Sequence, residues 1–252
     1  YFDNSELASI NTPSAEELKI LEPLRGKLPD RVFTEEYDPP KTDGSGSNRD
    51  NMRKALELLG KAGWTLKNNV LVNAKGEMFH FEILVDSPAF ERWIQPFMRN
   101  MEKIGIKTDL RIVDSAQYQN RMNDFDFDMI VNVFAQSLSP GNEQLDFWGS
   151  TKADIKGSRN LSGVKSPAVD ELVESVIHAK TRDDLVNHVR ALDRALLWGF
   201  YVIPQWHTDV FRIAYWDMFG APEQNPPYGL PVVDAWWIDP AKQAKINAHR
   251  SR

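Results

Sequence analysis

Apolar residues first recur at helical spacing between Met52 and Ala62. Met52, Ala55, Leu56, Leu59 and Ala62 form one stripe, and Gly63 is placed to end the helix. The period then changes to two. In "EMFHFEILV" (77–85), Phe79, Phe81, Ile83 and Val85 share one side, which predicts a strand. A helix follows over 87–105, with Ser87 as N-cap and Pro88 at the first helical position. Its apolar stripe is Trp93, Ile94, Phe97, Met98, Met101 and Ile104, and Pro96 is expected to kink it. "KTDLRIV" (107–113) reads as a second strand, "DSAQYQNRMN" as a short helix capped at Asp114 or Ser115, and "FDMIVNVF" (127–134) as a third strand. Helical crossovers of this kind join parallel strands. The predicted fold class is α/β, an open, largely parallel mixed sheet flanked by helices. In such sheets ligands gather beyond the carboxyl ends of the strands, here at "VFAQSLSPGNEQ".

The flanks are less regular. Residues 13–25 predict a first helix started by Ser14, Glu16 and Glu17, and residues 29–49 predict a Pro-, Gly- and Ser-rich connection. Two further helices are expected. One runs from Ser166 and Pro167 with Val169, Leu172, Val173, Val176 and Ile177 inward; the other starts at Thr181, with Asp184 in capping-box spacing. "YVIPQW" (201–206) and "FRIAYW" (211–216) look like strands, and "AKQAKINAHRSR" looks like a frayed polar tail.

The chain has 252 residues, 42% hydrophobic and 26% charged, an ordinary globular composition. A net charge of -6 argues against a nucleic-acid partner. With no cysteine, disulfides, thiolate nucleophiles and Cys-type zinc sites are excluded. The start, "YFDNSELAS", lacks an initiator Met and suggests a processed or truncated piece. Eight tryptophans are consistent with core packing and with ligand stacking.

Asp124, Asp126 and Asp128 alternate just before the third strand. They fail the calcium-loop pattern, because Met129 stands where Gly is needed and Ala135 where Glu is needed. They are expected to be a solvated strand entry with Phe125 and Phe127 packed inward. The five histidines show no metal-ligand spacing, and neither a nucleophile elbow nor a phosphate-binding glycine loop occurs. No cofactor or metal is expected. The loop 134–150 instead offers uncharged donors and acceptors with aromatics nearby, a set suited to a polar ligand as well as to a plain surface loop. The candidate ligand-binding residues are Asn132, Phe134, Gln136, Ser137, Ser139, Asn142, Glu143 and Trp148, with Trp206 and His207 as a second group. A carbohydrate-active hydrolase is the alternative, with Glu143 and Asp146 as its acid pair; a binder of a sugar or metal chelate is another.

The collinear series "RKALELLGKAGW", "FEILVDSP", "FMRNMEKIGIKTDLRIVDSAQYQNRMNDFDFDMIV", "SRNLSGVKSPAVDELVESV" and "LDRALLWGFYVIPQWH" resembles the solute-binding proteins of ABC importers in the oligopeptide/dipeptide/nickel group. "SLSPGNEQLDFWGS" and "AYWDMF" are similar to the Yej-type subgroup. The resemblance implies a periplasmic, non-enzymatic binder that captures peptides or peptide-like compounds, closes two lobes over them and delivers them to an ABC permease in the inner membrane. It further implies that this chain is the C-terminal portion, lacking the first lobe. Residues 1–49 would be an N-terminal helix and connection, 50–205 the α/β ligand-binding lobe, and 206–252 a return segment toward the first lobe with a tail. The commoner peptide binders carry an Asp after this third strand that pairs with the ligand's α-ammonium. Here Phe134, Ala135, Gln136, Ser137 and Leu138 offer none.

Overall fold

The computed structural model describes residues 1–3, 5–205, 210–224 and 229–250. Its contacts divide the chain into two compact units, 1–203 and 204–252.

The first unit centres on three parallel strands in the order β4-β3-β5, where β3 is His80–Val85, β4 is Lys107–Ile112 and β5 is Met129–Ile130. β3 pairs with β4 from His80↔Lys107 to Val85↔Ile112, and with β5 only at Ile83↔Met129 and Leu84↔Ile130. Ile83, Leu84 and Val85 are all buried, so the central strand is covered on both faces rather than one. Helix α4 (Glu91–Lys103) crosses from β3 to β4, and α5 (Ser115–Asn123) from β4 toward β5. Ser87 accepts a hydrogen bond from the Ala89 amide, and Asp114 caps α5 through the Gln117 amide. α4 runs through Pro96 as one continuous helix. Ile94 is buried beneath it, whereas Trp93, placed in the buried stripe on spacing alone, is 46% exposed.

Helix α3 (Arg49–Lys61) leads into a hairpin the hydrophobic pattern did not flag, β1 (Thr65–Lys67) against β2 (Val70–Val72). Asn68 and Asn69 both take positive φ, 49° and 62°, as a two-residue hairpin turn requires. Met52, Ala55, Leu56 and Leu59 of α3 pack with Leu71, Ile104 and Ile106, while Ala62 stays exposed.

A second, larger core joins distant segments. Helix α1 (Ala15–Leu21), capped by Ser14, and the short α2 (Arg31–Thr34), formed inside the expected connection, meet α6 (Glu143–Trp148), α7 (Pro167–Ile177) and α8 (Arg182–Trp198). Leu21, Val32, Trp148, Leu172 and Leu192 are fully buried there. Thr181 caps α8 as expected, but the shorter Asp184 bonds the Lys180 amide instead of completing a capping box. Buried Asn160 ties one loop together: its amide donates to the Gly149 and Val164 carbonyls at 3.0 and 2.9 Å and accepts the Val164 N–H at 2.8 Å.

In the second unit, β6 (Phe219–Gly220) pairs antiparallel with β7 (Trp237–Ile238), which follows the short helix α9 (Val232–Ala235). Tyr215 meets Trp236 edge-on at 4.8 Å. The described residues of 201–206 and 211–216 form no strand. The expected frayed tail is instead helix α10 (Pro240–Arg250), whose first turn is held by Asp239 accepting the Ala241 and Lys242 amides. Asp followed by Pro is a helix-start signal, and it wins over the polar composition.

Candidate functional site

The site lies where the chain leaves β5. Residues expected to continue the strand to 134 leave the sheet after Ile130. Asn132 and Ala135 are exposed, and Val133 is 79% exposed. Among the described residues, no backbone N–H or C=O of residues 132–136 is bonded to another backbone group. The segment is therefore a partly exposed stretch whose main-chain donors and acceptors have no backbone partner among the described residues, anchored at its ends. At the sheet end, Tyr118 of α5 donates its hydroxyl to the Val131 carbonyl at 2.7 Å. Burial pushes the Tyr118 phenol up to about 12, and the nearby Asp86 carboxylate adds to the shift. The neutral phenol is the form the fold favours. Its contribution is present in full below pH 10, the ordinary tyrosine range, and is lost as pH rises from 10 through about 12. Alkaline denaturation of the wild type should therefore exceed that of Tyr118→Phe over this window; identical profiles would contradict the anchor.

At the other end, Phe134 is half-buried and stacks on Trp148 at 4.8 Å, with Phe147 edge-on at 5.8 Å. Trp148 itself is fully buried, so it reaches the surface only through its neighbours. Its indole N–H donates to Gln144 Oε1 at 3.1 Å. Gln144 Nε2 donates in turn to Gln136 Oε1 at 2.7 Å and Glu143 Oε1 at 3.2 Å. Glu143 Oε1 also accepts the Gly141 amide at 2.9 Å. Ser137, Ser139 and Asn142 are exposed on the turn, and the Ser139 amide bonds Ser137 Oγ at 3.2 Å. Arg182, at the start of α8, donates to the Leu138 carbonyl and to Glu6. The structure thus gathers Phe134, Gln136, Glu143 and Trp148 into one bonded and stacked group, with Ser137, Ser139 and Asn142 on its rim. Trp206 and His207 lie outside the described residues.

Gln144 and Arg182 are the organising residues outside the candidate ligand-binding set. Gln144 and Trp148 stand four apart on α6, a spacing at which helical side chains meet, so that link was legible. Arg182 was not, because its partners Glu6 and Leu138 are far away in sequence.

The three aspartates each hold a different element. Asp124 pairs with Lys156 at 2.6 Å, Asp126 with Arg121 at 2.8 Å, and Asp128 accepts the Glu82 amide at 2.9 Å. They are exposed, as a strand entry should be, but they are engaged rather than merely solvated; Phe125 and Phe127 are half-buried.

Compared with known proteins, residues 26–155, about half of the chain, match the model for the middle region of the bacterial extracellular solute-binding proteins, family 5. The chain is 48% identical over 238 residues to a probable peptide-binding protein, YejA, of Agrobacterium fabrum. That match covers 94% of this chain and 39% of the relative, so the chain spans about two fifths of the relative's length. The oligopeptide-binding protein AppA of Bacillus subtilis, solved with a nonapeptide, is 19% identical with a TM-score of 0.59, covering 89% of this chain and 45% of that one. A mannohexaose-bound periplasmic oligopeptide-binding protein of Thermotoga maritima is 18% identical with a TM-score of 0.55, covering 81% and 40%. At these identities the two structures establish the fold, that of a periplasmic binding-protein lobe.

Proposed function

The chain belongs to the bacterial extracellular solute-binding proteins of family 5, and from that premise we propose that it forms a ligand-capturing lobe of an ABC importer's binding protein, specific for peptides or peptide-like compounds. The family is one of binding proteins rather than enzymes. The observation that carries the ligand class is the partly exposed segment Asn132–Gln136, beyond the carboxyl end of the sheet, with its main chain unpaired among the described residues. A peptide laid beside it can bond through its own backbone, whatever its side chains. The likeness to a probable peptide-binding protein, and to a fold-mate solved with a nonapeptide, supports that ligand. Residues 50–205 are the proposed lobe, the rest of the cleft comes from a first lobe of the same protein, and closure over the ligand precedes delivery to an inner-membrane permease from the periplasm. Asn132, Ser137, Ser139 and Asn142 supply polar contacts, Phe134 an apolar one, and Gln136 and Glu143 the inner wall. Trp148 supports the site from beneath.

The hydrolase alternative gains no support: Asp146 pairs with Lys152 at 3.1 Å, and one Glu143 oxygen accepts two N–H groups. Mass spectrometry of material co-purified with the full-length protein should return peptides; a sugar or metal chelate alone would count against the reading. Ala135→Pro deletes one main-chain donor in the segment. It is expected to weaken retention of a mixed tripeptide pool about tenfold, the worth of one hydrogen bond, with the thermal midpoint unchanged. Equal retention would remove the segment from the site.

A further inference from the structure

The polarity of the inner wall is set from the core. An indole N–H can only donate, so Trp148 claims the oxygen of Gln144. The Gln144 amide nitrogen is thereby fixed toward acceptors, and one of them is Gln136 Oε1. Gln136 cannot turn over without setting two N–H2 groups against each other. Its remaining group, Nε2, is covered and has no hydrogen-bond partner among the described residues. A covered donor left unpaired is destabilising, so such a group in a native structure calls for an explanation.

We propose that Gln136 Nε2 is a specificity-determining donor that takes an oxygen acceptor of the ligand, and that Gln144, held by Trp148, is the positioning residue that keeps it a donor. On the peptide reading, from which this inference proceeds, the acceptor is a ligand carbonyl beside the segment 132–136. Because Nε2 is covered, its pairing accompanies a local rearrangement on binding. A ligand presenting an N–H at this point meets two donors face to face and is rejected, which discriminates more strongly than the loss of an apolar contact.

The test compares full-length wild type, Gln136→Met, Gln144→Met and the double variant for retention of a mixed tripeptide pool. Each single change should lower retention about tenfold, and the double change far less than a hundredfold, since Gln144 acts chiefly through Gln136 and otherwise only through its bond to Glu143. Wild-type retention by Gln144→Met, or losses that multiply in the double variant, would overturn the proposal. Nitrogen-15 spectra of the same proteins provide a readout without ligand. In Gln144→Met the Trp148 indole proton should move upfield, and the Gln136 amide protons should shift as the side chain is released; unmoved signals overturn the relay. If wild type retains no tripeptide, the peptide reading fails and the spectra alone decide the relay. Should Gln144→Met not fold, Gln144→Glu replaces it. Its buried acid mimics the amide while protonated and presents only acceptors once ionised, so retention should fall with rising pH where that of wild type does not.

Discussion

Replacing Arg194 by methionine is expected to destabilise the protein by about 3–5 kcal/mol, because it strands a buried carboxylate. Arg194 and Glu17 have side-chain exposures of 1% and 4%, and their Nε–Oε2 distance is 2.5 Å. The other two guanidinium nitrogens donate to the carbonyls of Asn11 and Ile10 at 2.8 and 2.7 Å. One side chain on α8 therefore fixes both α1 and the irregular segment before it. Its neighbour Asp193 reinforces this by accepting the Ser9 amide and hydroxyl at 2.9 and 2.8 Å. Urea denaturation followed by circular dichroism would read the loss, and a change below about 1 kcal/mol would show that the pair is not holding the segment. The double change Arg194→Met with Glu17→Leu should recover part of it, since it removes both charges together. Recovery should stay incomplete, because the Ile10 and Asn11 carbonyls still lose their donors.

Trp148→Ala should cost a similar amount, about 3–5 kcal/mol, through lost apolar burial and the cavity left behind. Trp148 is fully buried and packs against Phe134 and Phe147. Trp148→Phe separates two roles. It keeps much of the ring contact but deletes the N–H and leaves the buried Gln144 oxygen without it, so its stability cost should be about 1–3 kcal/mol, below that of Trp148→Ala. Peptide retention should still fall in Trp148→Phe, because Gln144 is no longer oriented. A stable Trp148→Phe variant with wild-type retention would reduce the tryptophan to a packing element.

Most helix starts are legible in the sequence because their physics is local. Ser14, Ser87, Asp114, Ser166 and Thr181 all cap helices where the sequence placed them, because a cap needs only amides two or three residues ahead. The order of strands and helices followed from the same short-range periods. The signals overlooked were local as well: Asn68–Asn69 at the hairpin turn and Asp239–Pro240 at the start of α10.

What the sequence could not supply was pairing at a distance. The run 127–134 is apolar enough for a long strand, yet only Met129 and Ile130 join the ladder. A strand exists only where a neighbour presents bonding groups, and β3 ends its pairing with β5 at Leu84. That shortening creates the unpaired segment on which the proposed function rests. In the same way, Trp148 read from its neighbours in sequence is a stacking surface, whereas the helical core of the first unit buries it, with Tyr1 edge-on to its ring.

The sequence by itself determined the α/β class, the order of strands and helices across the parallel sheet and most helix starts, and it pointed to the stretch after the third strand as the candidate place for a ligand. Side-chain period and capping chemistry act over a few residues and survive in any context. Only the tertiary structure decided which groups in that stretch remain open. It sealed Trp148 beneath the site, tied the aspartates to Lys156, Arg121 and the Glu82 amide, and left the main chain of 132–136 and the Gln136 amide nitrogen without partners among the described residues. Whether a polar group is satisfied depends on what folding brings to it, and the partners of Asp124 and Asp128 lie tens of residues away.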